Sequence, residues 1–296
     1  MYYFLALLTG IFISLMLASN GGLSMQYGVY MATVIIYVVG LILVSVLVLM
    51  KKERPFSQKH AWFLYLGGPI GLLAIEFNNM AFGRISVSAI LALGLLGQSV
   101  TGILIDQYGL FGMAKHPFTK RKLIGFFLIL GGIASMINNF DMTAVAVSII
   151  AGASMVVSRT LNAKLAKLTS IWTSSLYNYL TGLAAAILIF LLFGRPEAVF
   201  AEFVISPRFY IYLGGVAAVF VVLLSNITVV KISAFYLTLL LFVGQVFSGI
   251  VIDMVIARAF STRNLIGGIL VALGLCVNLV LDSKFKNQKN KQKGAL

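Results

Sequence analysis

Two glutamines and two aspartates occupy matching places in two apolar segments of the sequence. The segment LGQSVTGILID contains Gln98 and ends at Asp106, and the segment VGQVFSGIVID contains Gln245 and ends at Asp253. An amide within an apolar segment can hydrogen-bond across a helix contact or bind a solute, and both roles stay open. An acid at a helix end can pair with a cation of another helix, so the two aspartates are candidates for ion pairs.

Glu76 is the acid that lies well inside an apolar segment. Asn79 shares its helix face one turn further on, and Asn226 occupies the position of Asn79 in a second copy of the segment. Charged groups at membrane depth are expensive and usually face a cavity or a partner. A carboxyl group there can hold a proton or a cationic solute but not easily both, which favours proton-coupled exchange. The alternative is a protonated Glu76 with a purely structural hydrogen bond to a neighbouring helix.

Charges at helix ends suggest two gates. Arg84 and Lys231 precede the helices that Asp106 and Asp253 close, and each charge has the sign that the dipole of its own helix disfavours. We predict that Arg84 pairs with Asp253 at the outer mouth and that Lys231 pairs with Asp106 at the cytoplasmic mouth. The alternative is that each charge meets only water and headgroups. Tyr37 and Tyr179 carry hydroxyl groups into the middle of two further segments, where core packing is the favoured role.

The composition predicts a membrane protein. Hydrophobic residues make up 60% of the chain, charged residues 10%, and the mean hydropathy is +1.03. Soluble globular chains carry about 25% charged residues. Most of the apolar segments are long enough for a helix to cross a hydrocarbon core of about 30 Å. Ten segments are found, at 2–19, 28–50, 61–82, 85–105, 123–138, 142–160, 170–193, 209–230, 232–255 and 264–281.

The net charge of +14 is distributed unevenly between the two sides of the predicted membrane. The side that holds both termini carries 17 basic residues, Arg159 among them, and the other side carries 5. The positive-inside rule therefore places both termini in the cytoplasm, and this distribution argues against nucleic-acid binding. The basic tail, residues 283–296, is expected to be solvated and disordered next to anionic headgroups.

The chain contains an internal repeat. Residues 65–106 align with residues 212–253 at an offset of 147 without a gap and match at 14 of 42 positions, and an offset of 142 pairs Asn20 with Asn162 and Tyr37 with Tyr179. We predict an all-α membrane protein of ten helices in two five-helix repeats, residues 1–140 and 141–282. Because five is odd, the second repeat enters the membrane inverted, as in many secondary transporters.

One long motif resembles a known family. The stretch NNMAFGRISVSAILALGLLGQSVTGILIDQYGLFGMAKHPFTKRKLIG, residues 78–125, is similar to the YdcZ-like branch of the drug/metabolite transporter superfamily. The second half departs from it, since MVIARAF follows Asp253 in place of a Gly-Leu-Phe-Gly continuation. The resemblance implies a permease whose solute lies between helices 1, 3 and 4 of one repeat and helices 6, 8 and 9 of the other, with helices 5 and 10 at the periphery.

These observations predict a secondary active transporter of the cytoplasmic membrane. Proton-coupled export of a small cation or amine fits the buried carboxyl group best, and the alternatives are import, a neutral metabolite and a non-transporting membrane scaffold. No catalytic or ATP-binding motif is found, and we expect no enzymatic activity, cofactor or metal site. The expected partners are a small solute, protons and the lipid bilayer. The pair Gly67 and Gly71 indicates close helix packing and leaves a homodimer open.

Overall fold

The computed structural model of the chain describes residues 1–53, 55, 60–112, 123–136, 141–194, 196–197, 204–231, 234–257 and 261–293. These residues form ten long α-helices, and no strand is found among them. The helices are α1 (Tyr2–Tyr27), α2 (Val29–Met50), α3 (Gly67–Ala81), α4 (Val87–Tyr108), α5 (Leu123–Met136), α6 (Met142–Leu168), α7 (Ile171–Phe193), α8 (Leu213–Lys231), α9 (Ala234–Ala257) and α10 (Thr262–Lys293). The predicted all-helical fold is confirmed for this part of the chain.

The helices suit a lipid environment. Five described segments are long and apolar enough to cross a membrane: Tyr2–Tyr27, Val29–Met50, Val87–Ile105, Met142–Leu168 and Ile171–Phe193. Shorter apolar helical segments run over Phe127–Met136, Phe209–Ser225, Leu240–Val255 and Thr262–Gly274. Large apolar side chains such as Leu188, Leu191 and Leu192 of α7 are exposed on the outside of the bundle. Helices satisfy their own backbone hydrogen bonds, so such a bundle is stable in lipid.

Glycine and proline mark the helix boundaries. Gly28 joins α1 to α2 with φ of 79°, and Gly109 ends α4 with φ of 65°, a left-handed conformation that favours glycine. Pro69 lies in the first turn of α3, where the backbone N–H is not needed. A 3-10 turn, Trp62–Leu66, precedes α3, and a second one, Phe209–Tyr212, precedes α8. The starts of these two turns are separated by the repeat offset of 147.

Small residues bring the helices into close contact. Gly10 of α1 faces Gly244 of α9, and Gly152 of α6 faces Gly94 of α4. A Cβ atom at any of these four glycines except Gly94 would overlap backbone atoms of the opposing helix. Helix backbones approach this closely in membranes because small residues leave the contact free of side chains. The packing between α1 and α9 and between α4 and α6 therefore depends on residues that lack a side chain.

The Gly67 and Gly71 pair packs within the chain. Gly67 lies against the side-chain amide of Asn162, and a Cβ atom at Gly71 would lie 2.9 Å from the hydroxyl oxygen of Ser158. Both partners belong to α6, so this face of α3 is covered by a helix of the same molecule.

Three helices are clearly longer than the sequence pattern predicts. Helix α1 continues to Tyr27 and helix α6 to Leu168, whereas the predicted segments ended at residues 19 and 160. Helix α10 continues to Lys293, so the prediction of a disordered tail from residue 283 is wrong for the residues up to that point. Lysine and glutamine are good helix formers, and the tail contains no glycine before Gly294 and no proline. The helix can therefore propagate beyond the apolar segment.

Candidate functional site

A central cavity lies between α1, α2, α3, α6, α7 and α8. Its empty volume is about 640 Å³ with the open side included. Sites for small molecules commonly combine apolar walls with a few polar groups. The walls of this cavity follow that composition, with Met16, Ile75 and Met155 among the apolar residues. The polar residues are Tyr37, Ser158, Arg159, Asn162, Asn178, Tyr179 and Ser225.

A second cavity of about 380 Å³ of empty volume adjoins the first. Met16, Met155 and Arg159 line both, so the two cavities lie side by side. The second cavity adds residues of α4 and α9, and its polar lining consists of Asn78, Gln98, Arg159 and Gln245. Among the described residues, none from α5 or α10 lines either cavity.

The predicted tyrosines meet at one wall of the first cavity. The rings of Tyr37 in α2 and Tyr179 in α7 have centroids 5.8 Å apart and cross at 63°. Tyr37 packs against Gly182 and Tyr179 packs against Gly40, where a Cβ atom would overlap the ring. The Tyr37 hydroxyl donates to the carbonyl oxygen of Gly68 at 3.2 Å. The pair therefore combines the predicted packing role with a place in the lining of the cavity.

Arg159 is a cation at the junction of the two cavities. Its Nη1 atom donates to Oε1 of Gln98 at 3.2 Å, across the contact between α6 and α4. Its Nη2 atom is buried and has no hydrogen-bond partner. A guanidinium group with an unused donor beside a cavity can bind an acceptor that enters from the cavity.

The sequence analysis missed Arg159 because it assigned this residue to the basic cytoplasmic surface. The predicted apolar segment ended at residue 160, which left Arg159 at the membrane boundary. The continuation of α6 to Leu168 places it more than two turns inside the helix. The repeat contained a signal that could have found it, because the offset of 142 aligns Arg159 with Leu17, within the first apolar segment.

An amide network extends from the first cavity towards the end of α6. Asn162 donates from Nδ2 to Oδ1 of Asn178 at 2.8 Å, and the hydroxyl of Ser174 donates to the carbonyl oxygen of Asn162 at 2.8 Å. Ser158 donates to the carbonyl oxygen of Gly67 at 2.7 Å. These bonds tie α3, α6 and α7 together. Asn178, which the sequence analysis did not name as a site residue, therefore takes part in the lining through its bond to Asn162.

The two glutamines differ in their surroundings. Gln98 accepts the hydrogen bond from Arg159, which is the cross-helix role that the sequence left open, and it also lines the second cavity. Gln245 is 3% exposed and lines the same cavity from α9. Its backbone carbonyl oxygen accepts a hydrogen bond of 2.6 Å from Ser14 of α1. Both amides therefore lie where a solute could reach them.

Glu76 and Asn79 are buried in α3 but line neither cavity. They are 5% and 3% exposed, and none of their side-chain oxygen and nitrogen atoms has a hydrogen-bond partner. Thr33 and Tyr37 of α2 are close enough to the Glu76 carboxyl group to interact with it electrostatically. Ile75, the residue before Glu76, does line the first cavity. The carboxyl group therefore lies behind the cavity wall and not on it.

Asp253 binds the start of α4 and not Arg84. Its carboxylate accepts hydrogen bonds from the backbone N–H groups of Val87 at 2.8 Å and Ser88 at 3.0 Å, and also from the Ser88 hydroxyl. The side-chain amide of Asn264 in α10 donates to the same carboxylate at 3.4 Å. The first residues of a helix have free N–H groups, and the two oxygens of the carboxylate supply the acceptors that satisfy them.

Arg84 pairs with Asp141, the residue that caps α6. Arg84 Nη1 lies 3.3 Å from Asp141 Oδ2, and the other carboxylate oxygen accepts from the backbone N–H of Ala144 at 3.0 Å. The Ala144 N–H and, to a smaller extent, Arg84 hold the pKa of the Asp141 carboxyl group below its ordinary value of 3.8. The predicted pair of Arg84 with Asp253 is therefore wrong for this structure, because each residue has a different partner.

Three predicted site residues lie outside the residues whose side chains the structure describes. They are Asn226 in α8, Asp106 in α4 and Lys231 at the end of α8. The predicted cytoplasmic pair of Lys231 with Asp106 therefore stays a prediction.

The apolar exterior, the all-helical bundle and the polar cavities define a multi-pass membrane protein. A family model described as "Putative inner membrane exporter, YdcZ" matches residues 1–135 and again residues 143–277. The chain belongs to this family of membrane exporters, which confirms the resemblance found in residues 78–125.

A solved crystal structure supports the fold. It is similar to this chain with a TM-score of 0.66 over 95% of this chain and 96% of its own length, at 14% identity. No curated protein matches the sequence.

Proposed function

We propose that this protein is a secondary active transporter that exports a small organic solute by alternating access. The observation that carries the proposal is the pair of adjoining cavities with polar linings inside an apolar helical bundle of an exporter family. Secondary transporters bind their solute in such a position, between two halves of the molecule. The cavities are lined by α1, α3 and α4 and by α6, α8 and α9, with α2 and α7 in addition.

We place ten membrane-spanning helices in two inverted five-helix repeats. The family model matches once in each predicted repeat, with starts 142 residues apart, which equals the offset that aligns Asn20 with Asn162. The 3-10 turns before α3 and α8 stand at aligned positions as well. From the even number of helices and the excess of basic residues on one side we propose that both termini lie in the cytoplasm. We also propose the cytoplasmic membrane as the location.

We assign proton coupling to Glu76. A buried carboxyl group without a hydrogen-bond partner is expensive as an anion, so it favours the protonated form until a conformational change gives it water or a cation. Its place behind the wall of the cavity suits a group that exchanges a proton in one conformation only. A cationic or amine-bearing solute is a candidate for the substrate, favoured by the same unpartnered carboxyl group.

The mouths of the transporter would be closed by the acids at the ends of α4 and α9. We propose that the contact of Asp253 with the N–H groups of Val87 and Ser88 holds the outer mouth closed. The repeat offset of 147 pairs Asp106 with Asp253, so Asp106 is the candidate for the corresponding contact on the cytoplasmic side, with Lys231 as its predicted partner. The two contacts would form in alternation.

Transport currents test the proposal. Proteoliposomes containing the wild-type protein are placed on a solid-supported membrane and exposed to jumps of organic anions, amines and neutral solutes, with and without a pH gradient. Glu76→Gln should abolish currents driven by the pH gradient, and Glu197→Gln, which alters an exposed acid, should leave them unchanged. Absence of both current and change of internal pH or solute content with every solute would contradict the transporter, and full proton coupling in Glu76→Gln would return Glu76 to a structural role.

A further inference from the structure

The structure contains a second buried charge near the cavities, and this one lies on their walls. Arg159 lines both cavities, whereas Glu76 lines neither. One end of the guanidinium group is held by Gln98, and Nη2 has no partner. The charge that a solute in the cavities would meet is therefore positive.

No carboxylate of the described residues pairs with Arg159. The salt bridge in this part of the chain joins Arg84 to Asp141, and the Asp253 carboxylate is occupied by the start of α4. The Glu76 carboxyl group makes no hydrogen bond and lines neither of the cavities that Arg159 lines. An unpaired charge inside a protein costs several kcal/mol, and in membrane helices such charges mark solute or ion pathways. A charge with this cost and no carboxylate partner among the described residues points to a partner that comes from outside.

The neighbours of Arg159 suit a small organic anion. A guanidinium group offers a planar set of donors that matches the two oxygens of a carboxylate or of a phosphate. The amides of Asn78 and Gln245 lie around the same cavity and can bind further polar atoms, and the side chains of Met16 and Met155 can cover an apolar body. A cationic solute would be repelled by the positive charge of Arg159, and this repulsion is strong at short distance.

We propose that Arg159 binds the carboxylate or phosphate group of the solute, so that the substrate is a small organic anion. Transport of this anion as a substrate rests on the function proposed above, whereas its binding at Arg159 does not. Gln98 acts as the positioning residue, because its hydrogen bond to Nη1 turns the remaining donors of the guanidinium group towards the cavity.

Binding of matched probes to the full-length protein in detergent tests the inference. The anions are benzoate, succinate and phenyl phosphate, and the controls are the neutral benzamide and succinamide and the cationic benzylamine and 1,4-diaminobutane. Binding is measured by calorimetry and by the shift in melting temperature. At least one anion should bind, and its neutral and cationic analogues should bind more weakly by about 30-fold or more, as expected for the loss of a buried charge pair.

Three variants assign the binding to Arg159. Arg159→Gln removes the charge and should weaken binding of the anion by about 30-fold or more. Gln98→Glu places a carboxylate beside Nη1. This carboxylate should pair with Arg159 in place of the anion, so it should weaken binding of the anion to the same extent while the protein stays folded. Arg208→Gln removes an exposed arginine outside the cavities and should leave binding unchanged. If Arg159→Gln fails to fold, the binding measured for Gln98→Glu shows whether the anion binds at Arg159.

The outcomes separate the inference from the proposed function. Binding of an anion that depends on Arg159, without transport currents and without uptake or release of the anion by the proteoliposomes, would support the inference and contradict the transporter. Currents from amines or neutral solutes that persist in Arg159→Gln, without binding of any anion, would overturn the inference and leave the transporter standing. Absence of both binding and currents would overturn both.

Discussion

The carboxylate of Asp253, in the last turn of α9, accepts a hydrogen bond of 2.8 Å from the backbone N–H of Val87 at the start of α4. An acid is unfavourable at the end of its own helix but favourable at the start of another, where N–H groups are free. The contact explains a charge that looks misplaced in the sequence. It also joins a helix of the first predicted repeat to a helix of the second.

Asp253→Ala should destabilise the protein. The change removes the acceptor of Val87 and Ser88 and leaves their N–H groups unsatisfied, at a cost of about 1–3 kcal/mol. Asp253→Asn keeps one acceptor oxygen and should cost less. Thermal unfolding in detergent measures the effect, with Arg84→Gln as the control that leaves this contact intact. Equal melting of Asp253→Ala and wild type would show that the contact does not contribute to stability.

Two glycines of α4 should respond differently to alanine. A Cβ atom at Gly97 would overlap the carbonyl group of Ile149 in α6, so Gly97→Ala must separate the helices, at a cost of about 1–3 kcal/mol. Nothing lies within 4 Å of a Cβ atom at Gly102, and Gly102→Ala should raise stability by about 0.5–1 kcal/mol. Melting of both variants beside wild type measures the difference. Similar effects at the two positions would contradict the packing of α4 against α6.

The amides of Asn162 and Asn178 should be energetically coupled. Asn178→Leu leaves the Nδ2 group of Asn162 without its acceptor, and we expect a loss of about 1–3 kcal/mol. Asn162→Leu should cost a similar amount, and the double variant should lose less than the sum of the two changes. A double-mutant cycle of unfolding measurements gives the coupling. Additive effects would mean that the two side chains act independently.

The pair of Arg84 with Asp141 predicts a pH dependence of stability. The pKa of Asp141 is lower in the folded chain than its ordinary value of 3.8, so the unfolded chain binds the proton more tightly. The contribution of Asp141 to stability is therefore complete above the ordinary pKa and is lost as the pH falls through the folded pKa. Melting temperatures between about pH 6 and pH 3 should fall more steeply for wild type than for Asp141→Asn. Parallel curves would count against this contribution.

Local composition accounts for the helices that the sequence predicted correctly. Apolar segments of about 20 residues form helices in lipid because each helix satisfies its own backbone. The segments that begin at residues 142 and 264 were predicted too short, since hydropathy falls before helix propensity does. The error in α6 had a consequence for the site, because it placed Arg159 at the surface.

Arrangement in space accounts for the parts of the site that were not predicted. The sequence identified Tyr37, Tyr179, Gln98 and Gln245 as polar groups at membrane depth, and each of them lines a cavity. Glu76 was identified by the same reasoning, but its side chain lies behind the wall. Depth along a helix follows from position in the sequence, whereas the direction in which a residue faces depends on which helices surround it.

Side-chain composition and the spacing of residues along one chain are enough to predict that the chain is helical, that it is too apolar for water and that it repeats. Three contacts could not be predicted in this way. Arg84 pairs with Asp141, Asp253 binds the start of α4, and Arg159 and Gln98 meet beside a cavity. The packing of helices determines which residues far apart in the sequence form hydrogen bonds or ion pairs, because a charge or an amide binds the complementary group that the fold places within reach.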